Sequence, residues 1–340
     1  MDDEEDGIAN LFFSQAQPDL QDWLSKNEGF GLSFSNPNRH SSMRRIFGYG
    51  AAGVLILALG GFAVWLSWPG IEDDDQADFL SRFRGGSLVI AGGGELPPII
   101  RQRFLDLAGG PDSARIVVIP AFDFQDSEQD RLLRPWKSIN VRTVRILHTT
   151  SRQQADDASF AESLDNATGV WLSGGNQAWL SKHYVGTLVE SKLKDVIDRG
   201  GVIGGSSAGA AAMTKVMIEQ GQEEAVEGVG FDLLPDAVVD QHFLKRSRLN
   251  RLMGLMDSHP GRIAFGIDEG TALVVQADRG TLGVVGKSYV IAYVPQTDSG
   301  VRRFEVLKNS DQIDIQGLRN GKVRVSSTAD LDAILNDTSP

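Results

Sequence analysis

A serine flanked by glycines stands where a short apolar run gives way to an alanine-rich one. Gly205, Ser207 and Gly209 form the Gly-x-Ser-x-Gly pattern of a nucleophile elbow, a sharp turn between a strand and a helix. The glycines tolerate the tight backbone, and the free N–H groups of the following helix can stabilise a developing oxyanion. The pattern predicts that Ser207 is a nucleophile, and its alternative is a glycine-rich turn without chemistry.

A serine nucleophile needs a general base, usually histidine, and the chain has five histidines. His242 stands out because it ends a buried run and has Asp240, Gln241 and three arginines close to it in sequence. The other four precede a long apolar stretch or follow patterns typical of surface and turn residues: His40, His148, His183 and His259. We therefore expect His242 to be the base. The order of the residues excludes an α/β-hydrolase, in which the histidine comes after the acid and late in the chain.

Composition excludes several other classes of function. The net charge is -12 and the chain has no long block of lysine or arginine, which argues against a nucleic-acid partner. The absence of cysteine excludes disulfides, thiolate metal sites and a cysteine nucleophile. We expect neither a metal nor a cofactor.

Apolar runs separated by helical patterns predict the fold class. The runs lie at residues 87–91, 114–120, 141–147, 169–172 and 201–203, and shorter strand patterns follow after residue 262. This alternation predicts a doubly wound α/β fold with a mostly parallel sheet, whose sites lie at the carboxyl ends of the strands. Two polar turns stand at such ends, at residues 173–177 and 204–209. A dinucleotide site after the first strand is disfavoured, because Pro97 occupies the third glycine position of Gly-x-Gly-x-x-Gly.

Residues 46–68 carry no charge and are long enough to cross a hydrocarbon core of roughly 30 Å. Arginines precede this stretch, while tryptophans and then acidic residues mark its far end. The pattern predicts a single-pass membrane protein with a cytoplasmic N-terminus and its catalytic domain on the far side. A buried core helix and a cleaved signal peptide fit the flanking residues less well.

The composition of the sequence divides the chain into five segments. We expect a disordered acidic tail over residues 1–45, the membrane span over 46–68 and an acidic linker over 69–84. The catalytic domain is predicted over residues 85–295, and a C-terminal extension over 296–340.

Five motifs in this order resemble the cyanophycinase branch of peptidase family S51, relatives of aspartyl dipeptidase. The run Asp240-Gln241-His242-Phe243, followed by spaced arginines, is the most specific of them and separates this branch from the dipeptidases. The other four motifs occupy residues 92–95, 173–177, 205–210 and 266–272.

The resemblance implies a class I glutamine amidotransferase-like, flavodoxin-like fold and a metal-free Ser-His-acid triad. It also implies hydrolysis of cyanophycin, a poly-aspartate with arginine on each side chain, or of related β-aspartyl peptides, and a homodimer. It makes Ser207 the nucleophile and His242 the base. The residues expected to line the substrate pocket are Gln177, Asp240, Gln241, Arg246, Arg248 and Arg251. We expect the oxyanion to meet the backbone of Gly174, Gly175 and Ala208.

The third member of the triad is expected to be a glutamate between nucleophile and base. That stretch is shorter than the resemblance implies, and Glu224 is our assignment, with Glu223, Glu219 and Glu227 as alternatives.

Two other functions stay open. One is an S51-type dipeptidase for other Asp-containing peptides, and the other is a membrane-tethered binding module that has lost catalysis through the shortened segment.

Overall fold

The computed structural model describes residues 85–294, 303–319 and 325–326. The predicted tail (1–45), membrane span (46–68) and linker (69–84) lie outside this part of the chain and stay predictions. Within the described ranges, no helix is long and apolar enough to cross a membrane.

The strands and helices alternate through the first half of the described chain, as the apolar runs predict. The strands are β1 Ser87–Ala91, β2 Arg115–Ala121, β3 Thr143–Ile146, β4 Gly169–Gly175, β5 Val202–Ser206, β6 Val216–Gln220, β7 Val226–Val229, β8 Ala237–Gln241, β9 Ile263–Ile267, β10 Thr271–Gln276, β11 Thr281–Gly286, β12 Tyr289–Val294, β13 Arg303–Lys308, β14 Gln312–Asp314 and β15 Val325–Ser326. The α-helices are α1 Pro98–Leu107, α2 Gln129–Lys137, α3 Arg152–Ala155, α4 Ala158–Ala161, α5 Gln177–Tyr184, α6 Leu188–Asp198, α7 Ala208–Ala211, α8 Leu249–Ser258 and α9 Ile315–Arg319.

The described strands form one large sheet and two small ones. The nine-stranded sheet has the order β15-β14-β11-β10-β1-β5-β4-β2-β3. The five strands from β1 to β3 in this order pair in parallel, and β10, β11, β14 and β15 extend the sheet antiparallel. A four-stranded sheet, β13-β12-β9-β8, and the hairpin β6–β7 complete the set. The prediction of a mostly parallel α/β sheet is confirmed for the β1–β5 part that carries the site.

The central strands are apolar throughout because helices cover both faces of the sheet. Along β1, Leu88 and Ile90 belong to one core, which also contains residues of α5, α6 and α7. The alternate residues Val89 and Ala91 belong to a second core with residues of α1 and α2. β1 pairs with β5 on one side and β10 on the other, and its carboxyl end carries the turn at the site.

The segment assigned to the C-terminal extension contributes strands to both larger sheets. β13 pairs with β12, and β14 pairs with β11. β8 and β9 pair in parallel, with Gln241 opposite Ile267. The residues that follow these two strands belong to the site described below.

Close backbone packing shapes the turn from β5 into α7. A Cβ added at Gly209 would stand 2.2 Å from the carbonyl oxygen of Leu172, so α7 rests directly on β4. A Cβ at Gly205 would stand 2.7 Å from the backbone of Gly209. The two glycines of the Gly-x-Ser-x-Gly pattern are therefore required by the packing of this turn.

We expect Gly209→Ala and Gly254→Ala to change stability in opposite directions. Both glycines lie in helices, where alanine is favoured by about 1 kcal/mol. A Cβ at Gly254 would meet nothing within 4 Å, so its substitution should raise the free energy of unfolding. At Gly209 the clash with β4 should lower it by about 1–3 kcal/mol. Urea denaturation of both variants measures this, and a stabilised Gly209→Ala protein would contradict the packing described for the elbow.

Candidate active site

Ser207 occupies a strained turn at the carboxyl end of β5. Its φ is 53° and its ψ is -109°, a conformation that residues other than glycine rarely adopt. Its N–H donates to the carbonyl of Ala91, at the end of the neighbouring β1, at 3.0 Å. The turn presents the Ser207 hydroxyl at the edge of the sheet, as the elbow pattern predicts.

His242 directly follows β8 and faces Ser207. Its Nε2 lies 2.9 Å from the Oγ of Ser207. Its own N–H donates to the carbonyl of Gly92 at 2.8 Å, and its φ is 52°. A Cβ at Gly93 would lie 2.5 Å from Cε1 of the imidazole, so the ring packs directly against a glycine backbone.

The carboxylate beside His242 belongs to Glu269, in the turn after β9. Its Oε1 lies 2.6 Å from Nδ1 of the imidazole. Gly94 leaves room for this side chain, and the N–H of Gly270 donates to the carbonyl of Gly93 at 2.9 Å. The adjacent Asp268 points elsewhere and accepts hydrogen bonds from the N–H of Lys245 and the hydroxyl of Ser288.

The structure does not place Glu224 against His242. Glu224 is exposed in the connection between β6 and β7, and the Nδ1 position is already occupied by Glu269. Of the alternatives, Glu227 contacts Nε2 of His259 at 3.0 Å and Glu223 is exposed. The sequence predicts an acid between the nucleophile and the base, whereas the carboxylate that contacts His242 follows it in the chain. The sequence contains a signal for this carboxylate, because residues 266–272 lead from an apolar strand to Asp268 and Glu269.

Burial sets the protonation state of the imidazole. Desolvation lowers the pKa of His242 below its usual 6.5; the hydrogen bond to Glu269 opposes this shift, and the nearby Arg246 and Arg248 add to it. His242 is therefore neutral at pH 7, with its proton on Nδ1 donating to Glu269 and its Nε2 lone pair facing Ser207. This arrangement can remove the proton of the Ser207 hydroxyl and stabilise the imidazolium that forms. Acidification through the lowered pKa abolishes this capacity.

Two of the three predicted oxyanion residues, Gly174 and Ala208, lie beside Ser207. A Cβ at Gly174 would stand 3.8 Å from Cβ of Ser207, and Ala208 begins α7, where the first N–H groups lack helical partners. Gly175 packs against the carbonyl of Ala121, which also accepts the N–H of Asn176 at 2.7 Å. The turn after β4 is therefore fixed against β2, with its backbone beside Ser207.

Asp240, Arg248 and Arg251 form a buried ion-pair network behind His242. Asp240 is 0% exposed, and its carboxylate accepts from Nε of Arg251 at 3.0 Å and from a terminal nitrogen of the same guanidinium. Arg248 donates through Nη1 to the carbonyl and the side chain of Gln241, at 2.7 and 3.0 Å. Burial lowers the pKa of Arg248 to about 10, so it remains charged at pH 7.

The six residues expected to line the substrate pocket differ in their exposure to solvent. Asp240 and Arg251 bond to each other, and Arg251 also binds the carbonyl of Gly221, so neither faces solvent. Gln177 is half-buried and donates its amide to the carbonyls of Ile218 and Glu219, at 3.0 and 2.6 Å, holding the β6–β7 hairpin. Among the three arginines, Arg246 alone is exposed. The sequence revealed a cluster of polar residues but not which of them point inward.

Comparison with known proteins adds three findings. Residues 88–283 match the model of the family described as "Peptidase family S51". A cyanophycinase from Synechococcus elongatus is 33% identical over 245 residues, covering 68% of this chain and 75% of that protein. A cyanophycinase from Geminocystis herdmanii is 30% identical over 223 residues, covering 62% of this chain and 81% of that protein.

One solved structure supports the fold. The crystal structure of a peptidase from an acI-B1 Actinobacterium superposes with a TM-score of 0.56 at 21% identity, covering 68% of this chain and 98% of that one. At this identity the likeness concerns the arrangement of strands and helices, and it agrees with the mostly parallel sheet described above.

Proposed function

This chain belongs to peptidase family S51 and is a serine-type peptidase, and we propose that it hydrolyses cyanophycin to β-Asp-Arg dipeptides. The observation that carries the proposal is the continuous hydrogen-bond chain from Ser207 through His242 to Glu269. The likeness to two cyanophycinases supports the choice of substrate.

In the proposed mechanism, Nε2 of His242 takes the proton from Ser207 as Oγ attacks the scissile carbonyl. Glu269 keeps the second imidazole proton on Nδ1 and stabilises the imidazolium. The oxyanion of the tetrahedral intermediate is met by the backbone around Ala208 and the Gly174–Gly175 turn. The imidazolium then protonates the leaving amine, and the acyl-enzyme remains. Water attacks this acyl-enzyme while His242 takes a proton from the water, and His242 returns the proton to Oγ of Ser207 as the ester bond breaks.

Cyanophycin offers each arginine as a side-chain amide, with its guanidinium and its carboxylate free. A planar guanidinium suits a carboxylate bidentately. Arg246 is exposed and close enough to His242 to lower the pKa of that histidine, and we assign the reading of a substrate carboxylate to it. The buried Arg248 and Arg251 bond to Gln241 and Asp240, the two residues that precede His242 in the chain.

The binding-module alternative loses its main support. It rested on a missing acid between nucleophile and base, and Glu269 supplies a carboxylate from outside that segment. A dipeptidase for other Asp-containing peptides remains the second candidate, because the triad alone does not select a substrate.

The substrate assignment is tested by incubating the full chain with cyanophycin and with an α-linked Asp-Arg peptide of equal composition. We expect β-Asp-Arg dipeptides from cyanophycin, detected by mass spectrometry, and no cleavage of the α-linked peptide. Ser207→Ala should yield no product, while the adjacent Ser206→Ala should retain most activity, since only Ser207 contacts His242. Cleavage of the α-linked peptide alone would favour the dipeptidase, and equal loss in both variants would refute the assignment of Ser207.

The acid is tested by a second pair of variants, Glu269→Gln and Glu224→Gln. We expect Glu269→Gln to lower kcat by roughly 10²–10⁴-fold, since an amide neither fixes the tautomer of His242 nor stabilises its charged form. Glu224→Gln makes the same chemical change at an exposed position and should leave kcat within about twofold. Steady-state kinetics on cyanophycin measures both, and a larger effect at Glu224 would overturn the assignment.

A further inference from the structure

A row of ring side chains lies beside the site at the same edge of the sheet. Phe124, His148, Trp179 and His183 form this ring row, with centroid separations of 5.6, 6.0 and 4.1 Å between successive rings. His148 follows β3, Phe124 follows β2, and α5 carries the other two rings. Because these strands are parallel to β5, the ring row and Ser207 emerge on one side of the molecule.

Three of the buried polar atoms without a partner belong to the ring row. Nδ1 of His148, Nε1 of Trp179 and Nδ1 of His183 are buried without a hydrogen-bond partner in the described part of the chain. Such atoms cost free energy unless a ligand or water satisfies them. His183 is only 4% exposed, so bulk water does not satisfy its Nδ1.

The chemistry of these atoms differs along the ring row. Burial lowers the pKa of both histidines, so both imidazoles are neutral at pH 7. Nε2 of His148 faces the carboxylate of Asp123 at 3.8 Å, which favours the proton on Nε2 and leaves Nδ1 as an acceptor. Nε1 of Trp179 is always a donor. One end of the ring row therefore offers acceptors, and its middle offers a donor.

The charged residues around the ring row also differ between its two ends. The first end carries Asp123, whose side chain is 64% exposed. The other end adjoins two cations, because Lys182 precedes His183 and Arg152 donates to the carbonyl of Lys182 at 3.0 Å. A guest with a cation at one end and an anion at the other would match this distribution.

We propose that the ring row and Asp123 form a distal subsite for one arginyl unit of cyanophycin, an inference that rests on the proposed function. The guanidinium lies against Asp123, His148 and the face of Trp179, where cation–π attraction adds to charge pairing. The free carboxylate of the same arginine lies toward Nε1 of Trp179 and Lys182. Binding requires the half-buried Trp179 ring to turn outward, since the unpartnered atoms are shielded from solvent.

The position of the ring row sets the length of substrate that reaches it. β5 and β3 are separated by β4 and β2, and three strand spacings of about 4.8 Å place His148 roughly 14 Å from Ser207. An extended backbone covers this distance in about four residues. The backbone of a two-unit oligomer bound at Ser207 does not cover this distance, whereas the backbone of a six-unit oligomer does.

The subsite is tested by comparing kcat/KM for six-unit and two-unit β-Asp-Arg oligomers with the full chain. We expect Asp123→Asn and Trp179→Ala each to lower the ratio of the two values by about tenfold, mainly through KM of the longer oligomer. Asp126→Asn, an exposed carboxylate in the same connection, is the matched control and should leave the ratio at its wild-type value. Asp123→Asn keeps the test decisive if Trp179→Ala does not fold.

The outcomes separate the subsite from the proposed function. A ratio unchanged by Asp123→Asn, or lowered equally by Asp126→Asn, would overturn the subsite while leaving the hydrolysis of cyanophycin intact. A wild-type protein that cleaves neither oligomer would refute the proposed function and the subsite with it.

Discussion

Three successive carbonyl groups at the end of β1 hold the site together. The carbonyl of Ala91 accepts the N–H of Ser207, that of Gly92 accepts the N–H of His242, and that of Gly93 accepts the N–H of Gly270, at 3.0, 2.8 and 2.9 Å. These bonds join the predicted nucleophile, the predicted base and the turn that carries Glu269. β1 can serve as this anchor because it is hydrogen-bonded to a strand on each side, β5 and β10, and both of its faces are buried.

The same bonds explain how two strained residues are tolerated. Ser207 and His242 both have φ values near +53°, a conformation that costs about 1–3 kcal/mol in residues other than glycine. Each is fixed through its own N–H to β1 and through the contact of its side chain with the other. The glycine-rich turn contributes space as well as acceptors, since a side chain at Gly93 or Gly94 would collide with His242 or Glu269.

The sequence predicted the sheet, the elbow and the pairing of Ser207 with His242, because each leaves a local pattern of residues. It did not predict Glu269, because the acid reaches His242 through the parallel pairing of β8 with β9, which sets Gln241 opposite Ile267. That register is a contact between distant segments and leaves no spacing to count. The sequence also did not predict that Arg248 and Arg251, which we expected to line the substrate pocket, are buried. Their burial depends on ion pairs with Asp240, which only the packed structure shows.

Comparing kcat/KM of Gly93→Ala with that of Gly110→Ala shows whether the turn after β1 positions His242. Both glycines have positive φ, at 105° and 78°, so alanine strains the backbone at each. A Cβ at Gly110 meets nothing within 4 Å, whereas one at Gly93 would lie 2.5 Å from the His242 ring. We expect kcat/KM to fall by about 10²-fold or more for Gly93→Ala, with little change for Gly110→Ala. A folded Gly93→Ala protein with wild-type kcat/KM would show that this turn does not position His242.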